Sequence, residues 1–152
     1  MDVFYYWKDI TGDLKAGRIG RFRSDKGRLE ELHAGYPDYV WVFKTPPGRK
    51  GQLQLKARLR WSNSPAPSFK PEPGVGYIFY DPDQVSSVWF DSSDTDAAID
   101  AITRWAGKHF PSAVQANFQG VNGQHPMRGE VLKELEAIAA ELPSRPFRTA
   151  TE

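Results

Sequence analysis

Three histidines, no cysteine and a scatter of carboxylates are the raw material for chemistry in this 152-residue chain. His33, His109 and His125 lie far apart, and none belongs to an HxxxH or HxE spacing, so nothing local brings two imidazoles to one metal ion. The lack of cysteine removes thiolate zinc sites, disulfides and cysteine nucleophiles, and it fits a reducing cytoplasm. No GxSxG elbow presents a serine nucleophile. Asp81 and Asp83 in YDPDQ could converge on a hard cation. Yet a DxD with no third acid and no glycine is also the pattern of an Asx turn.

One pairing is more suggestive. Pro37-Asp38 followed by Gln54-Leu55-Lys56 resembles the PD-(D/E)xK nuclease pattern in its glutamine form. In that family an acid on one strand binds Mg²⁺ and the lysine of the next strand assists a nucleophilic water. The bland account of Lys56 is that it is one of three cations, with Arg58 and Arg60, alternating along a solvated strand face. The expectation is therefore no catalytic residue, metal or cofactor, with a divalent-metal nuclease on Asp38, Gln54 and Lys56 as the enzymatic alternative.

Binding chemistry is better represented. Trp7, Phe22, Trp41, Trp61, Tyr80, Trp89 and Phe118 exceed what a small core needs, and several stand beside basic or amide side chains, a pairing suited to an unstacked base. Between residues 17 and 28, Arg18, Arg21, Arg23, Lys26 and Arg28 interleave with three glycines; arginine forks match phosphate, and glycine permits close approach. The segment NFQGVNGQHP concentrates Asn117, Gln119, Asn122, Gln124 and His125, whose amides could read base edges or cap helices. Charge is lopsided: residues 1–70 hold 14 Lys and Arg against 7 Asp and Glu, and residues 71–152 hold 6 against 12. A basic first half suits a phosphate-contacting face, although the acidic helices could equally fold over it.

The elements that must position these groups follow from periodicity. Residues 3–7 are β-branched and aromatic and predict a strand, with a turn at 11–13; residues 17–23 predict a second strand. Ser24 or Asp25 should cap a short helix ending before Gly35. Residues 38–45 are apolar on both faces and predict a central strand, and PPGRKG at 46–51 a hairpin connection. From 52 to 61, Leu53, Leu55, Ala57, Leu59 and Trp61 alternate with polar residues, predicting a strand with one buried face. The proline-rich stretch 62–76 must cross the surface, and 77–80 and 87–91 predict two short strands. A helix from an Asp94 cap to His109, a loop at 117–126, a helix over 128–142 and a mobile tail complete the reading.

The order of these parts, and above all YPDYVWVFKTPPGRKGQLQLKARLRW, resembles the PUA-like superfamily, in particular EVE, YTH and ASCH-type domains, with Pro37-Asp38 at the turn where those domains carry a Gly-Asp type. The resemblance implies an α+β fold: a curved, partly closed mixed β-barrel or sheet with flanking helices and a C-terminal helical segment. The expectation is one domain over 1–152, with a β-rich part at 1–92, helices at 93–143 and a tail at 144–152. It further implies a non-catalytic reader of DNA or RNA that holds a modified or flipped base, alongside a nuclease partner or a fused nuclease in relatives; the cytoplasmic expectation comes from the lack of cysteine. By position, Trp7, Phe22, Arg23 and Ser24 should line the pocket; Arg18, Arg21 and Trp61 are further candidate base-binding residues, and Asn122 is added from the amide-rich loop on its residue types alone, not from the resemblance. A protein-interaction module using the proline-rich segment and the acidic helices is the third alternative. No apolar run is long enough to span a membrane, and the N-terminus lacks a signal-peptide pattern.

Overall fold

The apolar run at the N-terminus forms β1, Asp2–Tyr6, whose side chains alternate between two layers as strand geometry requires. In the computed structural model, which describes residues 1–151, β1 pairs in parallel with β3 (Tyr39–Lys44) and antiparallel with β7 (Gln124–Met127). The 46–51 connection turns β3 into β4 (Gln54–Ser62). The far edge of β4 is shared between β6 (Val88–Phe90) at Ala57 and Arg58, and β5 (Gly76–Asp81) at Arg60 to Ser62. β2 (Arg21–Ser24) pairs with β5, and β8 (Ser144–Pro146) with β6. The result is an eight-stranded mixed sheet of order β2-β5-β4-β3-β1-β7, with β6 and β8 branching from β4, curled into a half-barrel.

The half-barrel is not closed by a strand pair. Side chains tie its end strand β2 to β1 and to the other end strand β7: the Tyr5 hydroxyl of β1 donates to the Arg23 carbonyl at 2.8 Å, and Ser24 Oγ donates to Gln124 Oε1 of β7 at 2.7 Å. Helix α2 (Lys26–Ala34), capped by the Asp25 carboxylate on the Gly27 and Arg28 amides as expected, lies against β5 and β7. Inside the curl, Val3, Trp7, Val40, Val42, Leu59 and Ile78 pack with Ile10 of α1 (Ile10–Lys15) and Leu32 of α2. The outer face carries a second core, where Phe4, Trp41, Phe43 and Leu55 meet Ile102 and Trp105 of α3 (Asp96–His109), Ala113 of α4 (Pro111–Gln115) and Leu135 of α5 (Gly129–Ala140). Among the described residues no helix is long and apolar enough to cross a membrane.

Several expectations need correction. The 52–61 alternation does not bury one continuous face. Val42 stands opposite Ala57 and Phe43 opposite Leu55, so Lys56 is an extra residue. Leu53 and Leu55 join the helical core, while Ala57, Leu59 and Trp61 join the interior of the curl. The turn expected at 11–13 is α1, held by burial of Ile10. The loop at 117–126 contains a 3-10 turn over Gly120–Gly123 and then β7, because β1 offers it a free edge. Pro111 does end α3, but it also opens α4, where its missing N–H costs nothing. α3 is capped by Thr95 rather than Asp94.

The tail is structured too. β8 and α6 (Phe147–Ala150) carry Phe147 into the curl with none of its surface exposed, against Tyr80 and Trp89. Glu152, the last residue of that tail, lies outside the described residues. Phe147→Ala should destabilise the fold by about 3–5 kcal/mol, the usual cost of emptying a buried aromatic site. A urea melt reads this as a lower midpoint at unchanged slope; an unchanged midpoint would mean that the tail is not part of the core.

Candidate functional site

The arginine-rich segment does form one wall of a cavity. β2 and the turn before it place Arg18, Arg21, Phe22 and Arg23 around a space of about 470 Å³ with Trp7, Lys8 and Tyr5. The rings, however, are spent on packing. Trp7 and Phe22 are 2% and 3% exposed; Phe22 stacks on Tyr5 at 4.4 Å and on Tyr80 at 4.8 Å, and the indole N–H of Trp7 donates to Asp13 at 2.7 Å. The charges are also matched from within. Arg18 pairs with Asp13 at 3.2 Å and Arg23 with Glu72 at 3.1 Å, while Asp9 completes an acidic rim. Trp61 is elsewhere, buried in the curl, donating to Asn63 and edge-on to His33. Asn122 borders neither this cavity nor the next; its carbonyl accepts from His125 Nε2 at 2.7 Å. Ser24 is committed to Gln124. Five of the eight expected residues are thus brought together, and none of the expected rings offers an open face.

A larger cavity, of about 710 Å³, lies beside it. Three separate pieces of chain build it: the end of β1 with Tyr5, Tyr6 and Lys8; the β3–β4 connection from Lys44 to Gly51; and residues 117–124. No acidic side chain borders it, whereas Lys8, Lys44, Arg49 and Lys50 all do. Among the described residues, only Arg49 of these four has a carboxylate partner, Asp96 at 2.8 Å. Lys44 Nζ donates to the Lys8 carbonyl and lies 5.3 Å from the Tyr6 ring centre. Half-buried Tyr5 and Tyr6 supply aromatic surface, Asn117 and Gln119 supply amides that donate and accept, and Gln124, buried with its Oε1 on Ser24, has its amide N–H groups left to donate.

The 117–124 wall is held in an uncommon backbone. Asn117 and Phe118 have φ of 52° and 55°, a left-handed conformation costing about 1–3 kcal/mol for each such residue. Burial of Phe118 against Phe4 and Tyr6, with its amide on the Ala113 carbonyl at 2.9 Å, maintains it. Gly123 is required here, since a Cβ would stand 2.8 Å from the Phe118 carbonyl oxygen. Burial, seconded by the nearby Asp13 and Asp9 charges, pushes the Tyr5 hydroxyl up, so it remains a neutral donor.

The nuclease pattern does not assemble. Tyr39 pairs with Arg60 at one end of the β3–β4 ladder and Lys44 with Gln54 at the other. Asp38 and Gln54 are therefore separated by roughly 20 Å of strand at about 3.3 Å per residue. Asp38 faces Arg60 at 3.6 Å, and Gln54 is buried, donating to Ser93 Oγ. Burial holds the Lys56 ammonium below its ordinary value, but Lys56 is the extra residue of the bulge, over the Trp89 ring. Asp81 and Asp83 form the Asx turn, with the Asp83 amide on Asp81 Oδ1. Among the described residues no group of three or more His, Asp or Glu side chains could hold a metal ion.

Sequence reasoning passed over Tyr5, Tyr6, Lys8, Lys44 and Lys50. The available signal was the Arg49-Lys50 pair within a glycine-bounded hairpin and the amide-rich 117–124 segment; no spacing joins them. No family model, curated protein or solved structure matches the chain.

His125 supports the cavity wall from behind, stacked on Phe110 at 4.9 Å. Burial pushes its pKa below 6.5, outweighing the bond to Asn122. A depressed imidazole contributes stability above the unfolded-state value, and loses it as pH falls through 6.5 toward the folded-state value. Chemical denaturation between pH 7.5 and 5 should show stability declining on acidification. His125→Gln should flatten that decline, and an equal slope in both proteins would assign the acid sensitivity elsewhere.

Proposed function

We propose that the chain is a non-catalytic nucleic-acid-binding module that takes one unstacked or modified base of a DNA or RNA strand into the lysine-tyrosine cavity. The carrying observation is the border of that cavity: four cations, three amides, two half-buried tyrosines and no carboxylate. A rim on which only Arg49 has a carboxylate partner among the described residues leaves three lysines to attract phosphate, whose counterions are released on contact. Aromatic surface suits the π-face of any base, at about 1–3 kcal/mol per stacked base. Amides fixed by β7 and the 3-10 turn can address a base edge. The volume lies within the usual range of small-ligand cavities.

This reading moves the base site proposed from the sequence. The arginine cavity, with its sealed rings and its own acids, is the weaker receptor for a base and the better one for a backbone. A half-barrel with helices on its outer face is also the architecture that PUA-like readers would need, and membership of that superfamily is part of the proposal.

Fluorescence anisotropy with labelled single- and double-stranded DNA and RNA, plain and modified, at two salt concentrations tests it. Binding should favour unpaired or modified strands and weaken with salt. Lys8→Glu with Lys50→Glu should lower affinity by about tenfold or more and reduce the logarithmic salt slope by roughly 0.7 per lost contact, the single-strand value. Lys56→Ala should leave binding intact. Full-strength binding by the Lys8/Lys50 double variant would reject the cavity.

A further inference from the structure

The two cavities meet at Tyr5 and Lys8, which border both. A strand whose base entered the larger one would carry a neighbouring phosphodiester past Lys8 toward Arg21 and Arg23. That second place is already filled from within the chain. The proline-rich segment between β4 and β5 folds back over it. Phe69 lies 4.2 Å from the Arg21 guanidinium and edge-on to Tyr77, and both Glu72 carboxylate oxygens reach Arg23 Nη2, at 3.1 and 3.2 Å. The Glu72 amide donates to the Tyr77 hydroxyl at 3.3 Å, fixing where that carboxylate falls.

A carboxylate on a guanidinium presents the same paired anionic acceptors as two phosphate oxygens. The side chains of Arg23 and Glu72 are 70% and 61% exposed, so water and salt screen their attraction and the pair is held weakly. The segment that carries Glu72 has no regular structure between β4 and β5, and most of its residues from 63 to 74 are exposed. Lifting Glu72 alone from Arg23 leaves the Phe69 packing on Arg21 and Tyr77 in place.

We infer that Glu72 is an internal surrogate for a phosphate, carried on a strap that an incoming strand displaces from Arg23. This rests on the nucleic-acid reading above and narrows its ligand class. The partner is a phosphodiester-linked strand spanning both cavities, because a free base or nucleoside brings nothing to exchange for the carboxylate. On binding, Glu72 passes to water and a phosphate oxygen takes the Arg23 N–H. Asp9 and Asp13 stay behind as the fixed acids that limit how much further charge this half of the groove accepts.

Anisotropy titrations of one unpaired oligonucleotide, against wild type, Glu72→Gln, Arg23→Ala and the double variant, test this. A second strand of the same sequence with neutral methylphosphonate linkages is titrated in parallel. Glu72→Gln should tighten the charged strand by about three- to fivefold, within what an exposed ion pair can withhold. It should give the neutral strand no gain, and the improvement should vanish when Arg23 is alanine. Charged-strand affinity unchanged by Glu72→Gln, an improvement that survives Arg23→Ala, or equal improvement for the neutral strand would each overturn the surrogate while leaving the nucleic-acid reading in place. Absence of binding by every protein at low salt would instead remove that reading, and the strap with it.

Discussion

Lys56 has no partner across the ladder, and the fold turns on that one unpaired residue. On one side of it Leu55 of β4, with Leu53 just before the strand, is buried under α3; on the other β4 buries Ala57, Leu59 and Trp61 within the curl. A straight nine-residue strand with the same alternation would send all its apolar side chains to a single layer and take Leu55 out of the second core, leaving Phe4, Trp41 and Phe43 of β1 and β3 to face the helices. The extra residue also increases local twist. Twist accumulated through β4 and its neighbours carries β2 round until Tyr5 and Ser24 can reach across the remaining gap.

Because that gap is bridged by two side-chain hydrogen bonds and not by a ladder, the surface there is open where a closed barrel would be smooth. Tyr5 stands at the seam, its ring packed on Phe22 and its hydroxyl tied to Arg23, and the two cavities lie to either side. Their characters differ for a simple reason. The arginine side receives acids from α1 and from the proline-rich crossing, whereas the lysine side is bounded by a hairpin and a turn that contain none. Along this groove the excess of cations in residues 1–70 is therefore least compensated at the lysine side, where among the described residues Arg49 alone meets a carboxylate, Asp96.

What could be read in the sequence was whatever short-range pattern decides. β1, β3, β4, β5, β6 and α2 follow from runs and alternation, and Asp25 caps where its type and position say it should. The bulge was invisible because Leu55 and Ala57 keep a perfect period of two while their partners in β3 do not. β7 escaped because four residues including Pro126 have no period of their own; pairing with β1 makes them a strand. Phe147 escaped because one aromatic residue among polar ones looks like a tail until a cavity exists to receive it. The rings were legible as a surplus, but not the side to which each turns, so Trp7, Phe22 and Trp61 were assigned to a ligand and belong to the core. The lysine-tyrosine cavity draws on three stretches with no common motif, and only folding brings them together.

The walls of the groove also differ in how much they can yield. Asn117 and Phe118 sit in a left-handed backbone that is tolerated only because Phe118 is wedged among other rings, so this wall has one shape and is preorganised. Little conformational entropy is then lost there when something docks. The crossing segment over Arg21 and Arg23 has exposed side chains and no ladder, and it can take many shapes. A groove rigid at one end and compliant at the other discriminates at the first and forgives at the second, so whatever docks there meets one fixed wall and one that adapts to it.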